Sequence, residues 1–244
     1  MTPLERIEVA AWSSLYDAAP AGMAGRLGLE RTEVEGAMRF RARLPSPLFN
    51  RMLGMEAIAP AHVDALDRGM YLQAPAGMAA PAGLVEKSRW VKLRRAPVPA
   101  GPPKVEVREV DAAEADRFAR TFCLGYELPP ALAPWHAALV GRAGWRAYLA
   151  VDGDTPLATA LLFLDGGVAW LGGAGTIPAQ RGRGAQKALI ARRIDDAIAA
   201  GATDLVTETG VPAPGARNRS LDNLLAAGFS MAYERVNYTR VQVM

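Results

Sequence analysis

A basic segment with two glycines joins a predicted strand directly to a long predicted helix. The segment covers Ile177–Lys187 (IPAQRGRGAQK), the strand covers Val168–Ile177 and the helix covers Gly184–Ala200. The first amide groups of a helix have no partner inside the helix, and the helix dipole adds positive potential there. Together with Arg181 and Arg183 they predict an anion site, and phosphate or pyrophosphate is the ligand that suits it.

Two phosphate-binding motifs with stricter spacing are absent from the sequence. No GxxxxGK followed by Ser or Thr occurs, and a GxGxxG motif that starts at Gly182 fails because Lys187 replaces its third glycine. The segment is therefore neither a Walker A loop nor a dinucleotide fingerprint. A glycine-rich turn with surface arginines and no ligand is the alternative for so short a string.

Predicted strands and helices follow one another throughout residues 105–244. A mixed sheet with helices on its faces, an α/β (α+β) fold, accounts for this order. The predicted elements are a strand over Val105–Val110, helices over Asp111–Leu124 and Ala131–Val140, strands over Arg146–Val151, Leu157–Leu164 and Val168–Ile177, a helix over Gly184–Ala200, a strand over Asp204–Thr209, a helix over Arg217–Ala227, and one or two strands over Phe229–Val243.

The preceding residues are less regular and predict a small mixed α/β unit. Its predicted elements are a helix over Leu4–Asp17, a strand over Ala37–Leu44, a short helix over Pro60–Gly69 and a strand over Arg89–Arg94. The run Arg95–Lys104 (RAPVPAGPPK) holds four prolines and predicts a stiff connector. The predicted organisation is thus an N-terminal region (1–94), a linker (95–104) and a second domain (105–244).

Charge and composition exclude several classes of protein. The formal net charge is +3, with 14 Lys and Arg against 10 Asp and Glu before residue 105 and 14 against 15 after it. Neither half is basic enough to predict a nucleic-acid partner. One cysteine and two histidines are too few for a zinc site, and we expect no metal.

The sequence also predicts a cytoplasmic protein with no membrane partner. The longest uncharged apolar stretch, Leu157–Leu164, ends at Asp165 and is too short to span a bilayer. Glu5 and Glu8 occupy positions where a signal peptide needs an apolar core. A count of 24 arginines against 4 lysines favours a GC-rich bacterial source.

Two motifs resemble those of the GNAT acetyltransferase superfamily. Residues 181–186 (RGRGAQ) resemble its acyl-CoA-binding signature R/Q-x-x-G-x-G/A, although Gln186 stands where the family has a small residue. Residues 218–229 (NRSLDNLLAAGF) resemble its second motif, an Asn-containing helix that ends in Gly-Phe. The resemblance covers about residues 105–240 and implies the GNAT fold, with acetyl-CoA or CoA as the acyl donor.

The resemblance also implies where CoA binds. Two neighbouring strands, Trp170–Ile177 and Asp204–Thr209, are expected to splay apart and hold pantetheine between them. The implied contacts are the backbone of Gly175, Thr176 and Ile177 for pantetheine, and Arg181, Gly182, Arg183, Gly184 and Ala185 for pyrophosphate. Asn218 and Asn223 are further candidates for cofactor binding, with helix capping as the alternative.

The family's mechanism is direct attack of an acceptor amine on the thioester, which needs a base and benefits from an acid. Glu208 is the candidate base, with a structural hydrogen-bond acceptor at a strand end as its alternative. Leu224 occupies the position where many relatives have a tyrosine acid. Tyr233 and Tyr238 are substitutes by residue type alone, and water or no acid at all are the alternatives.

Five further side chains of the second domain are expected in the acceptor site or in the core. The resemblance places an aromatic group where relatives build the wall of the acceptor site, although these side chains also suit a core: Phe122, Tyr126, Trp135 and His136. Cys123 lies on the apolar side of a predicted helix and is expected to be core.

The expected function is an acyl-CoA-dependent N-acyltransferase for a small amine or amino-acid-like acceptor. A non-catalytic acyl-CoA-binding or sensor protein is the alternative, and the low charge argues against an aminoacyl-tRNA-dependent transferase. The N-terminal region is either a degenerate GNAT-like half, which Phe49–Gly54 (FNRMLG) resembles, or an unrelated cap over the acceptor cleft. A homodimer is one alternative for the oligomeric state.

Overall fold

The computed structural model describes residues 1–79 and 82–241. The N-terminal region forms α1 (Pro3–Asp17), α2 (Ala21–Leu27), β1 (Glu30–Val34), β2 (Ala37–Arg41), β3 (Arg51–Leu53), α3 (Pro60–Asp64), β4 (Tyr71–Pro75) and β5 (Leu84–Arg95). Sequence analysis missed α2, β1, β3 and β4. These elements are short, and β1 is exposed over most of its length, so no hydrophobic period marks them.

The second region contains the elements that its pattern predicts. They are β6 (Glu106–Glu109), α4 (Ala115–Tyr126), α5 (Ala133–Ala137), β7 (Trp145–Asp152), β8 (Thr155–Asp165), β9 (Val168–Thr176), α6 (Ala185–Ala199), β10 (Asp204–Gly210), α7 (Arg219–Ala226) and β11 (Ser230–Arg240). Helix α5 is shorter than predicted because a 3₁₀ turn, Pro130–Leu132, precedes it. The closing segment is one strand, and its predicted end at Val243 lies outside the described residues.

All strands of the described residues join one mixed sheet in the order β1-β2-β3-β4-β11-β5-β10-β9-β8-β7-β6. Strand β5 of the N-terminal region lies between β10 and β11 of the second region. Trp12 and Phe49 share a core cluster with Phe118 and Trp170. The boundary predicted at residues 94–95 therefore does not separate two sheets or two cores, because residues on both sides of it are buried against each other.

The strand pairing of the second region is repeated in the N-terminal region. Neighbours are antiparallel from β7 to β9, β9–β10 is parallel and β10–β5 is antiparallel. Likewise, β1 to β3 are antiparallel neighbours, β3–β4 is parallel and β4–β11 is antiparallel. The two regions thus exchange their last strands.

Helices cover both faces of the sheet. Helices α1 and α4 contribute to the core cluster that contains Trp170, whereas α6 packs in a second cluster with Leu171 and Leu205. In the N-terminal region the five-residue helix α3 takes the place that the 15-residue α6 has in the second. None of the described helices has the length and apolar content needed to cross a bilayer.

Limited proteolysis is expected to nick the chain within residues 96–104 before it cuts α6. This stretch forms no helix or strand and is exposed, as its prolines predict. Because β5 is hydrogen-bonded between β10 and β11, the nicked protein should elute from gel filtration at the volume of the intact chain while a denaturing gel shows two fragments. Separation of the fragments under native conditions would contradict the interleaved sheet.

Candidate functional site

Strands β9 and β10 pair only at their beginning. The register joins Asp204–Val206 to Val168–Trp170, and no ladder pairing between the two strands follows. Beyond this point the hydroxyl of Thr207 donates to the carbonyl of Leu171 at 2.7 Å. A gap therefore opens between the two strands at the place where the resemblance implied one.

The edge of the gap on β9 is covered closely by helix α4. A Cβ atom on Gly125 would lie 2.9 Å from the carbonyl carbon of Gly175, so the helix backbone directly contacts the strand. A Cβ atom on Gly175 would lie 2.9 Å from the ring of Tyr126. Glycine at both positions lets Tyr126 lie over the strand, beside the residues implied for pantetheine.

Helix α6 begins at the gap with an N-terminus that no side chain caps. Its N-cap is Gly184, with φ of 81°, a conformation that disfavours other residues. Arg183 forms an ion pair with Asp152 and donates to Gln180 at 2.7 Å. Gln186 donates to the hydroxyl of Thr176 at 3.1 Å, which ties the helix start to β9. The free amide groups, the glycines and the two arginines fit a pyrophosphate group.

Replacement of Gly184 by Val is expected to weaken CoA binding by about 1–2 kcal/mol, measured by calorimetry. Valine disfavours the positive φ, so the loop must move and redirect the amide groups at the start of α6. Gly201→Val is the matched control: Gly201 has φ of 85° and also has open space around it, but it lies at the other end of α6. Equal CoA affinity in a folded Gly184→Val variant would contradict a pyrophosphate site here.

The gap opens into a cavity of about 250 Å³ in the middle of the sheet. Seven aromatic side chains line it: Trp12, Phe49, Trp90, Phe122, Tyr126, Trp145 and Trp170. Trp12, Phe49 and Trp90 come from the N-terminal region, along with Arg51. Sequence analysis missed these four residues because nothing local marks a residue that reaches a site from another part of the chain.

Glu208 lies on β10 and lines this cavity. Its carboxylate accepts from the indole of Trp170 at 3.0 Å and pairs with the ammonium of Lys92 at 3.1 Å. Lys92 is the residue opposite Glu208 in the β5–β10 register. Burial is the main cause that raises the pKa of Glu208, the nearby Glu8 raises it further, and Lys92 partly opposes both. A carboxylate with a raised pKa is a stronger base than an ordinary one.

Glu208 belongs to a buried charge cluster with equal numbers of cations and anions. Its six members are Glu5, Glu8, Arg51, Lys92, Glu208 and Arg235. Glu8 is central: it pairs with Lys92 and, at 2.7 Å, with Arg235. Burial alone would raise the pKa of Glu8, but Arg235, Lys92 and Arg51 together lower it to about 2. The cluster joins α1 to β3, β5, β10 and β11.

The comparisons with known proteins give the fold. No family model and no curated protein matches the chain. Among solved structures, a GCN5-related N-acetyltransferase from Kribbella flavida is 18% identical with a TM-score of 0.64, over 100% of this chain and 97% of that one. The chain has the fold of the GCN5-related N-acetyltransferases.

Two further structures agree with this GNAT fold. An acetyltransferase of the GNAT family from Colwellia psychrerythraea is 12% identical with a TM-score of 0.58, over 99% of this chain and 98% of that one. A GCN5-related N-acetyltransferase from Sphaerobacter thermophilus is 16% identical with a TM-score of 0.57, over 71% of this chain. This chain spans 61% of the length of the Sphaerobacter protein.

Within this GNAT fold, neither candidate tyrosine acid reaches the cavity. The hydroxyl of Tyr233 donates to Glu5 at 2.5 Å, and burial together with Glu5 raises its pKa well above the ordinary value. Tyr238 packs in a separate core cluster with Met52 and Leu72. Both lie on β11, which β5 separates from β10. The prediction of Tyr233 and Tyr238 as catalytic residues is therefore wrong.

Asn218 caps a helix, as the alternative assignment predicted. Its side-chain oxygen accepts from the amide of Ser220 at 2.9 Å, and its nitrogen donates to the carbonyl of Gly210 at 2.6 Å. These bonds hold α7 to β10, which corrects its assignment to the cofactor. Asn223 is half-buried and does not line the cavity, so its role stays a prediction. Leu224 does line the cavity and offers no hydroxyl there.

The predicted aromatic wall is found in part. Phe122, Tyr126 and His136 line the cavity, whereas Trp135 is buried elsewhere and donates to the carbonyl of Leu15 at 2.7 Å. Cys123 is 2% exposed within the core, as predicted, and burial raises the pKa of its thiol. The thiol is thus poorly suited to act as a nucleophile.

Proposed function

We propose that the protein is an acyl-CoA-dependent N-acyltransferase that uses acetyl-CoA or a related thioester. One observation carries this proposal: the gap between β9 and β10 extends toward the uncapped start of α6 and leads into a cavity that Glu208 lines. A cavity of about 250 Å³ suits a small acceptor.

Different residues of the site would bind CoA and transfer the proton. Acyl-CoA supplies the thioester. Arg181, Gly182 and the first amide groups of α6 would hold its pyrophosphate. Glu208 accepts the proton of the acceptor's ammonium group, directly or through water, while Trp170 and Lys92 hold its carboxylate in place. A thiolate has a reference pKa of about 8.5, so it can leave without a dedicated acid at mildly alkaline pH.

Binding and turnover test the proposal separately. Native mass spectrometry and calorimetry of the purified protein should show one CoA per chain. Release of free thiol from acetyl-CoA, followed over a panel of small primary amines, should then identify acceptors, with the acylated product confirmed by mass. A folded protein that does not bind CoA at millimolar concentration would contradict the proposal.

A non-catalytic acyl-CoA-binding protein is the second candidate. Leu224 lines the cavity where many relatives have a tyrosine, and Glu208 is already paired with Lys92. Tight CoA binding with no thiol release over the whole amine panel would favour this candidate. Turnover of any amine at a rate that depends on Glu208 would exclude it.

A further inference from the structure

Three ionisable side chains give the cavity its charge at neutral pH. They are Arg51, Arg193 and Glu208. His136 also lines the cavity, but burial lowers its pKa to about 4 and it is neutral. Burial likewise raises the pKa of Tyr126 to about 12, so its phenol keeps its proton.

Arg193 is the cation that no carboxylate compensates. Arg51 and Glu208 belong to the buried charge cluster, in which three cations face three anions. Arg193 is only 2% exposed, yet no carboxylate lies within 4 Å of it in the described part of the chain. Burial lowers its pKa to about 10, which still leaves it protonated at pH 7.

The guanidinium of Arg193 is fixed in position with one nitrogen unused. Its Nε donates to the carbonyl of Leu189 at 3.0 Å, and its Nη1 donates to the carbonyls of Leu161 and Gly172 at 3.0 and 3.2 Å. Its Nη2 has no acceptor among residues 1–79 and 82–241. Nη2 is not among the buried atoms that lack a partner, so solvent reaches it, and a ligand that supplies a charged acceptor can pair with it.

A second donor in the wall also lacks an acceptor. Trp12 is 7% exposed and lines the cavity, and its indole Nε1 is buried without a hydrogen-bond partner in the described residues. Two residues that line the cavity, Arg193 and Trp12, thus each have a donor without an acceptor, and the net charge of the lining is positive. Both properties favour an anionic ligand over a neutral one.

We infer that the cavity binds a reactant that carries a carboxylate, and that Arg193 is the residue that recognises it. One uncompensated cation matches a monoanion, whereas a phosphate dianion would leave excess negative charge in an apolar site. The aromatic walls suit an apolar body beside the carboxylate. This inference rests on the proposed function and specifies its substrate class.

The carboxylate can belong to either of two reactants. It is carried by an amino-acid-like acceptor or by the acyl group of a dicarboxylic acyl-CoA. In both cases the reaction is unchanged: the acceptor nitrogen forms a bond to the thioester carbon, the carbon–sulfur bond breaks, CoA leaves as a thiolate, and the ammonium proton passes to Glu208 or water. The carboxylate itself only binds.

Matched pairs of reactants test the inference in wild-type protein. One arm compares phenylalanine with phenethylamine at fixed acetyl-CoA. The other compares succinyl-CoA with butyryl-CoA at a fixed concentration of an amine that has no carboxylate. We expect kcat/KM to favour the carboxylate in one arm by about tenfold or more, and that arm identifies its source. Calorimetry of phenylalanine against phenethylamine with CoA bound, and of succinyl-CoA against butyryl-CoA without an amine, gives the same comparison without turnover.

Arg193→Gln tests the residue, with Arg192→Gln as the matched control. Arg192 is the next residue of α6, but it pairs with Asp196 at 2.9 Å and does not line the cavity. Arg193→Gln should bring the kcat/KM ratio of the carboxylate to its carboxylate-free partner close to one, Arg193→Lys should restore part of the preference, and Arg192→Gln should retain it. Circular dichroism verifies folding of each variant.

Two outcomes would overturn the inference. The first is a preference below about threefold in both arms together with no carboxylate binding in calorimetry. If CoA still binds and amines without a carboxylate are still acetylated, the proposed function stands and only this inference fails. The second is a folded Arg193→Gln variant that keeps the full preference. If Arg193→Gln does not fold, the wild-type pairs decide.

Discussion

Glu208→Gln is expected to lower kcat/KM by about 10²-fold while CoA affinity stays nearly unchanged. The carboxylate lines the cavity, and the amide that replaces it cannot accept a proton. Steady-state kinetics with acetyl-CoA and an identified amine acceptor, together with calorimetry of CoA, measure the two quantities.

The pH dependence separates a base from a merely structural carboxylate. Burial raises the pKa of Glu208. In the wild type, kcat/KM should decrease as the pH is lowered, and the midpoint of this acid limb should therefore lie at a higher pH than for an ordinary glutamate. In Glu208→Gln this limb should disappear, and the rate should recover partly as pH rises toward the pKa of the free amine. A Gln variant with wild-type kinetics across this range would remove Glu208 from the mechanism.

Glu5→Gln is the matched control for Glu208→Gln. Glu5 belongs to the same buried charge cluster and pairs with Arg235 at 3.1 Å, but it does not line the cavity. Its loss should lower stability and leave kcat/KM within about threefold of the wild type. An equal loss of activity in both variants would show that Glu208 acts through the fold and does not transfer the proton.

Glu8→Gln is expected to lower the free energy of unfolding by about 3–5 kcal/mol. Glu8 is fully buried between Lys92, Arg235 and Arg51, and its removal leaves three buried cations facing two carboxylates. Urea denaturation followed by circular dichroism measures the loss. Asp17 lies on α1 like Glu8, and it forms an exposed pair with Arg31 of β1. Asp17→Asn, which breaks that pair, should cost no more than about 1 kcal/mol.

The acid sensitivity of the protein should change in the same variant. The pKa of Glu8 is about 2 in the folded protein and has a reference value of 4.5. Its contribution to stability is therefore complete above pH 4.5 and is lost as the pH falls toward 2. Glu8→Gln should lack this part of the acid-induced loss. Equal urea midpoints for the variant and the wild type at pH 7 would contradict the role of Glu8 in the cluster.

A second substitution tests the cause of the instability. Glu8→Gln combined with Lys92→Met removes one anion and one cation, so the buried charges balance again. Part of the stability should return, because Lys92→Met removes the cation that exceeds the remaining carboxylates, although Glu208 then loses its pair with Lys92. No recovery in the double variant would indicate that packing of Glu8, and not its charge, stabilises this region.

Local sequence patterns were sufficient for the second region and for the start of α6. The predicted helix over Gly184–Ala200 begins one residue later, at Ala185, with Gly184 as its N-cap. The strands that flank the gap also lie within a residue or two of their predicted ends. Hydrophobic periodicity and a contiguous glycine loop are properties of neighbouring residues, which is why the sequence displays them.

Partners that are distant in sequence were decided only by the tertiary structure. Nothing in Leu84–Arg95 indicates that β5 inserts between β10 and β11, because strand pairing depends on which edges meet in the folded chain. The same insertion excludes Tyr233 and Tyr238 from the site. It also brings Trp90 to the cavity wall and places Lys92 opposite Glu208.

The environment of the charged residues on α1 was decided by the tertiary structure. Glu5 and Glu8 resemble solvated charges in the sequence of an amphipathic helix, yet they are 3% and 0% exposed. Glu8 is neutralised by cations from β3, β5 and β11, and Glu5 by Arg235 of β11, and these cations lie between 43 and 230 positions further along the chain. A helix pattern therefore specifies which face turns inward, whereas the charge that this face can bury depends on partners that only the folded chain supplies.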